Sequence, residues 1–203
     1  MKLLNIEVSP NGDNSSSRQA SRHLLEKFKK DIPGVIVTTR DLDTQPIPHL
    51  TGAGIGAAFT PTDARALEQQ QAIQFSDSLV DELLASDVII ISSPMWNFSL
   101  PSVLKAWIDQ IVRVGRTFSF TSEGPKGLVA PGKKVYVVVS SGSVFSEGPF
   151  VPYDQFVPSL RAALGFIGLT DMEIIRVEGT SNSETTGAIV AAAKANIDTL
   201  KLL

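Results

Sequence analysis

DVIIISSPMWNFSLPSVLKAWIDQIVRVG, residues 87 to 115, sets a short β-branched run, a polar and aromatic loop and an amphipathic helix in direct succession. Val88 to Ile91 is too short for a helix of its own and suits a central strand covered on both faces. No residue between Asp87 and Lys105 carries a charge. From Pro101 onward Val103, Leu104, Trp107, Ile108, Ile111 and Val112 recur at helical spacing, with Pro101 tolerable only in the first turn and Gly115 as the stop. In open α/β sheets, ligands sit where a strand's carboxyl end hands over to its loop. Ser92, Ser93, Pro94, Met95, Trp96, Asn97 and Phe98 therefore stand where a planar cofactor or substrate would be gripped.

The same alternation runs outward in both directions. Leu3–Val8 reads as a strand, followed by a helix over 17–30 in which Ala20, Leu24, Leu25 and Phe28 share a face. Val35–Thr39 is a second strand after Pro33-Gly34. Residues 42–61 form an irregular excursion with Pro46, Pro48, Pro61 and three glycines, and a helix over 62–85 follows, with Leu67, Phe75, Leu79, Leu83 and Leu84 as its inward face. Beyond Gly115, residues 116–133 read as a turn-rich or hairpin-like flap. Val135–Val139 is the fourth strand, 156–167 a helix, Met172–Val177 the fifth strand, and 183–203 a closing helix. Five strands and five helices in alternation, without repeats or an internal linker, indicate one domain over 1–203 with a parallel sheet and helices on both faces.

Bulk properties narrow the function. A chain of 203 residues can bury roughly 70% of its extended surface, enough for one core without staples. With no cysteine, disulfides, thiolate metal sites, iron-sulfur clusters and cysteine nucleophiles are excluded. A net charge of −3, with 18 basic residues scattered along the chain, leaves no footprint for nucleic acid. No stretch approaches the roughly 20 apolar residues that span a bilayer, and the amino terminus lacks a signal-type apolar core. A soluble cytoplasmic protein with no membrane partner is the expectation.

Inventory removes the common catalytic and metal options. His23 and His49 are the only histidines and read as surface residues; HExxH, GxSxG and the phosphate-loop motif are absent. No metal site is expected. Gly52-Ala53-Gly54-Ile55-Gly56-Ala57 matches the loose GxGxxA fingerprint but does not follow a strand, so it reads as a flexible loop. More promising is the turn after the first strand. Ser9 closes that strand, and Ser15, Ser16 and Ser17 open the first helix, whose free N–H groups and dipole favour an anion. Their hydroxyls would add donors around a phosphate, and Arg18 a charge; alternatively Ser15 or Ser16 is simply the helix cap. A flavin requires apolar walls, a few fixed donors and a phosphate cradle. Pro94, Met95, Trp96 and Phe98 offer walls, Asn97 a donor, and Ser140, Ser141, Gly142 and Ser143 a second rim where glycine permits close approach. Trp107 reads as core.

The P-M-W-N-F block at 94–98, the serine loop at 9 and 15–17, KAWIDQIVRVGRTF at 105–118, the 140–143 loop and LGFIG at 164–168 together resemble the FMN-dependent NADH:quinone oxidoreductases, or bacterial azoreductases, of the flavodoxin-like superfamily. The resemblance spans nearly the whole chain. It implies a flavodoxin-like three-layer αβα sandwich with sheet order 2-1-3-4-5. Non-covalent FMN would be held by Ser9 and Ser15–Ser17 at its phosphate, and by Met95–Phe98 and Ser140–Ser143 at its ring and ribityl chain. NADH or NADPH would serve as donor, with quinones and azo compounds reduced by two electrons in a ping-pong cycle and no side chain acting as acid or base. It also implies a homodimer whose pockets lie at the interface, lined or closed by the segments 42–61 and 116–133. Trp96 replaces a tyrosine common in that family, and Ser140-Ser141-Gly142-Ser143 replaces S-R-G-G, which removes a positive charge at 141. A one-electron flavodoxin-like carrier, or a flavin-free interaction module on the same fold, are the alternative readings.

Overall fold

The computed structural model describes residues 1–202. The strands β1 (Lys2–Glu7), β2 (Ile36–Asp41), β3 (Val88–Pro94), β6 (Lys134–Ser141) and β7 (Met172–Glu178) form one parallel sheet, ordered β2-β1-β3-β6-β7. Between β3 and β6 in the chain, β4 (Phe118–Thr121) and β5 (Gly124–Gly127) make a separate antiparallel hairpin, as expected of that flap. The order 2-1-3-4-5 is therefore not matched strand for strand. The hairpin takes the fourth and fifth places along the chain, so the last two strands of the sheet are the sixth and seventh.

Among the described residues six α-helices complete the layers: α1 (Ser16–Asp31), α2 (Gly52–Phe59), α3 (Leu67–Ala85), α4 (Ser102–Ile111), α5 (Phe156–Phe166) and α6 (Ser183–Thr199). Alternate residues of the strands face opposite sides. Leu4, Ile6, Ile89, Ile91, Val135, Val137 and Val139 pack with Leu79 and Leu83 of α3, Leu104, Trp107 and Ile111 of α4, and Leu160 and Leu164 of α5. Leu3, Val88, Ile90, Val138, Ile175 and Val177 pack with Leu24 and Phe28 of α1 and Val190 and Ile197 of α6. Covered on both faces, β3 is a continuous apolar run; β2, at the sheet edge, is largely exposed. Trp107 is fully buried, as expected.

Several boundaries and faces depart from expectation. The strand at Val88 runs on through Ser92, Ser93 and Pro94, and the one at 135 through Ser140 and Ser141, because their backbones continue the ladders of β3 with β6 and of β6 with β7. The stretch 52–59 is not a flexible loop but the helix α2, capped by Thr51, whose hydroxyl accepts the Gly54 N–H at 3.1 Å. A cap and the burial of Ala57 offset the cost of three glycines. The helix expected over 62–85 breaks into a 3-10 turn at Thr62–Ala64 and α3, which shifts the buried stripe to Ile73, Ser76, Leu79, Val80 and Leu83. Leu67 and Phe75 lie off that stripe, exposed. Helix α4 ends at Ile111 rather than at Gly115, which serves instead in the following turn at φ 74°. Helix α6 ends at Thr199; Leu203, its expected end, lies outside the described residues.

Candidate ligand-binding cleft

At the carboxyl edge of the sheet a cleft of about 360 Å³ opens between loops from four strands. From the β1–α1 loop it takes Ser9, Asn11, Asn14, Ser15 and Ser16; from the end of β3, Pro94, Met95 and Trp96; from the end of β6, Ser140, Ser141 and Gly142. The loop after β7 adds Thr180, and the start of α6 adds Thr186. Among the described residues no charged side chain lines it. A larger depression of about 540 Å³ lies beside Thr62, Arg65 and α3. It is away from the strand ends, and converging loops rather than volume mark a ligand site in this fold.

The first rim is a helix start. Ser15 is the cap of α1, accepting the Arg18 N–H at 3.4 Å, and its hydroxyl lies 3.1 Å from that of Ser17. Ser17 is fully buried beneath the rim rather than lining it. The N–H groups of Ser16 and Ser17 have no acceptor among the described residues, as expected in a first helical turn. Arg18 does not face the cleft. Its guanidinium is buried against Glu7 and grips Asp41 with two bonds, at 2.7 and 2.8 Å. The expected positive charge toward a phosphate is thus spent on two carboxylates closer by. The hydrogen bond from Arg18 holds the Asp41 carboxyl below its ordinary range, against the opposing effect of burial.

The second rim is a strained turn. Trp96 and Ser99 exchange both backbone hydrogen bonds, at 3.1 and 3.0 Å, closing a two-residue loop of Asn97 and Phe98. Both central residues have positive φ, 47° and 71°, the pattern of a type I′ turn that normally asks for Asn-Gly. A bulky residue in the left-handed region is an outlier of the kind found at functional sites. Phe98 is held there by its neighbours: its carbonyl accepts the Gln155 N–H at 2.9 Å, and its ring lies 5.5 Å from that of Tyr153 and 6.1 Å from that of Phe145. The Asn97 and Phe98 N–H groups have no acceptor among the described residues. Trp96 lines the cleft half-exposed, while Asn97 and Phe98 form the turn beyond it.

The third rim is joined to the second by the bond from Met95 N–H to the Ser140 carbonyl, 2.7 Å. Ser141 turns its hydroxyl onto the Ser143 carbonyl at 2.8 Å, so Ser143 braces the turn without lining the cleft. Ser92 and Ser93 are buried in β3, and Ser92 Oγ has no hydrogen-bond partner among the described residues. Gly142 has ordinary φ, and a Cβ there would meet only Ser181, at 3.5 Å. The chain itself would thus tolerate a Cβ at 142.

Sequence reasoning missed the fourth rim. Thr180 donates its N–H and its hydroxyl to the Ser141 carbonyl, at 3.1 and 3.0 Å, which draws the β7–α6 loop over the cleft. Its signal was available: Gly179-Thr180-Ser181-Asn182 follows the fifth strand of the sheet, again at a carboxyl end. Asn11 and Asn14 were missed between serines that drew the attention.

The cleft thus has a rim of neutral donors at a helix start and an apolar, aromatic rim opposite. Such a site suits an elongated ligand with a phosphate at one end and a flat ring at the other. A family model described as flavodoxin-like fold matches residues 1–200. The chain is 48% identical over 199 residues to FMN-dependent NADH:quinone oxidoreductase 2 of Hahella chejuensis, covering 98% of both chains. It is 44% identical over 201 residues to the FMN-dependent NADH:quinone oxidoreductase of Rhizobium johnstonii, again 98% of both. Among solved structures, an azoreductase from Bacillus anthracis strain Sterne superposes with a TM-score of 0.88 at 27% identity, over 97% of this chain and 96% of the other.

Proposed function

The chain belongs to the family of flavodoxin-like fold, and from that membership we propose how its cleft is used. The protein is an FMN-dependent NAD(P)H:quinone oxidoreductase that also reduces azo compounds, in keeping with its relatives at 44–48% identity and its azoreductase neighbour. One observation carries the assignment of the site: a rim of unpaired N–H groups and hydroxyls faces an aromatic rim built on a strained turn, across a single cleft.

Ser9, Ser15, Ser16 and Ser17 hold the flavin phosphate: Ser16 and Ser17 offer backbone N–H groups at the start of α1, and Ser9 and Ser15 shape the turn. No basic side chain is needed, since aligned amides and the helix dipole favour an anion. Pro94, Met95, Trp96, Asn97 and Phe98 wall and orient the ring, with the Asn97 side-chain amide and the backbone N–H groups of Asn97 and Phe98 as fixed donors. Ser140, Ser141 and Gly142 form the rim that adjoins this wall, Ser143 braces that turn, and Gly142 admits the ring closely. Held there, FMN would supply the two-electron chemistry, with NADH or NADPH as hydride donor and a quinone or azo compound as acceptor. The chain's own work is orientation and exclusion of water, and no side chain serves as acid, base or metal ligand.

The site is read as lying in a single domain over 1–203, supported by a family match that runs nearly end to end. A homodimer is proposed, with segments 42–61 and 116–133 at the interface. What supports it is apolar exposure there and beside it: Phe59 is 65%, Leu67 70% and Phe120 66% exposed. A cytoplasmic location is proposed as well; no helix among the described residues is long and apolar enough to cross a membrane.

The test is kinetic. The purified protein should be yellow, or turn so with FMN; NADH should bleach it in a stopped-flow mixer, and benzoquinone or an azo dye should restore the colour. A protein that stays colourless and takes up no FMN refutes the assignment.

A further inference from the structure

Arg18 lies beneath the phosphate rim without facing it, and every polar group of its side chain is engaged by another part of the chain. Its Nε donates to the Ser9 carbonyl at 2.8 Å, its two terminal nitrogens grip Asp41 of β2, and one of them also meets Glu7 of β1. The hydrogen bonds of the loop above then run in a circuit. Ser9 Oγ accepts the Asn11 N–H at 3.3 Å, Asn11 carbonyl accepts the Asn14 N–H at 3.0 Å, and Gly12 carbonyl accepts the Ser15 N–H at 3.2 Å. Ser15 Oγ in turn accepts the backbone N–H of Arg18 itself. The loop that carries Ser9, Asn11, Asn14 and Ser15 into the cleft therefore begins and ends on one residue.

Charge is not what Arg18 contributes. One guanidinium against two carboxylates leaves this buried group with a formal charge of −1, which does not attract a phosphate. What the neutral donors supply depends on their aim, since hydrogen bonds weaken steeply as they bend. Resting on the FMN reading above, we propose that Arg18 is a positioning residue for the phosphate half of the cleft. Its simultaneous grip on Ser9, Glu7 and Asp41 sets the preference for phosphorylated over unphosphorylated flavin. The rims at 94–98 and 140–143 make no hydrogen bond to Arg18, so a flavin lacking the phosphate should not sense it.

The experiment titrates FMN and riboflavin, by flavin fluorescence, into wild type, Arg18→Gln, Arg18→Lys and Asp41→Asn, each prepared as holoprotein and then stripped. Misaiming two phosphate donors should weaken FMN about tenfold in Arg18→Gln, with riboflavin affinity little changed. Arg18→Lys keeps the charge but cannot span three acceptors, so it should fall with Arg18→Gln. Asp41→Asn, on the exposed edge strand, retains the bond to Ser9 and should show a smaller loss of the same kind; it carries the test where Arg18→Gln does not fold. The 31P resonance of bound FMN should shift in the variants. Equal losses of both flavins, an unchanged FMN-to-riboflavin ratio, or an Arg18→Lys protein indistinguishable from wild type would each overturn the inference alone. Wild type that takes up neither flavin overturns the FMN reading, and the inference with it.

Discussion

Phe98 offers a test in which the sign of the effect is unusual. At φ 71° it pays a backbone penalty that glycine does not, about 1–2 kcal/mol for an L-residue in the left-handed region. In return its ring contacts Tyr153 and Phe145, pairs worth about 0.5–1.5 kcal/mol each. Phe98→Ala removes both contacts but keeps the Cβ and therefore the strain, for a loss of about 1–3 kcal/mol. Phe98→Gly removes the same contacts and releases the strain. Glycine's greater freedom in the unfolded chain takes back about 0.5–1 kcal/mol, so the glycine variant should still be the more stable of the two by about 0.5–1 kcal/mol. In an ordinary strand or helix the order is the reverse. For a domain of this size that difference corresponds to about 1–4 °C in Tm. The measurement is urea and thermal unfolding of flavin-free protein, since bound ligand adds its own stabilisation. If the alanine variant equals or exceeds the glycine variant, the turn is not strained as described.

Asn97→Ala should lower kcat/KM for the quinone about tenfold, the value of one lost hydrogen bond to the ring, with Asn97→Gly as the control for backbone strain; full turnover and normal FMN binding would remove Asn97 from the site. Asp41 yields a pH dependence. Its carboxyl titrates below its ordinary range when folded, so its pairing stabilises the fold above the unfolded value, about 3.9, and that contribution disappears as pH falls toward the lower folded value. The stability gap between wild type and Asp41→Asn should therefore narrow on acidification below about pH 4; urea midpoints across pH decide it, and a gap independent of pH counts against the pairing. At Gly127 a Cβ would stand 2.5 Å from Gly168 N and Ile167 C, both backbone. Gly127→Ala should cost about 2 kcal/mol and lower Tm by about 4–8 °C, and an unchanged Tm by calorimetry would show that the hairpin docks differently.

Two kinds of information separate here. The alternation of β-branched runs with 3.6-periodic helices is local, because each element's period shows which face it must bury. That is why the parallel sheet with helices on both sides, and three of the four loops at its carboxyl edge, were legible in the order of residues alone. Where an element begins was less so. The ladder from β3 to β6 draws Ser92 and Ser140 into strands, and contact with the body of the protein makes a helix of 52–59 despite its glycines.

Partner choice lay beyond the chain's local pattern altogether. Arg18 stands next to three serines and reads as a charge for an anion, yet it turns to Glu7 and Asp41, which only the pairing of β1 with β2 brings within reach. Thr180 joins the cleft because β7 lies beside β6, and Phe98 adopts a backbone shape foreign to its type because Tyr153 and Phe145 wait for its ring. Periodicity is a property of neighbours along the chain and can be read from them; a buried charge or a strained turn is settled by groups distant in sequence, whose proximity exists only once the layers have packed.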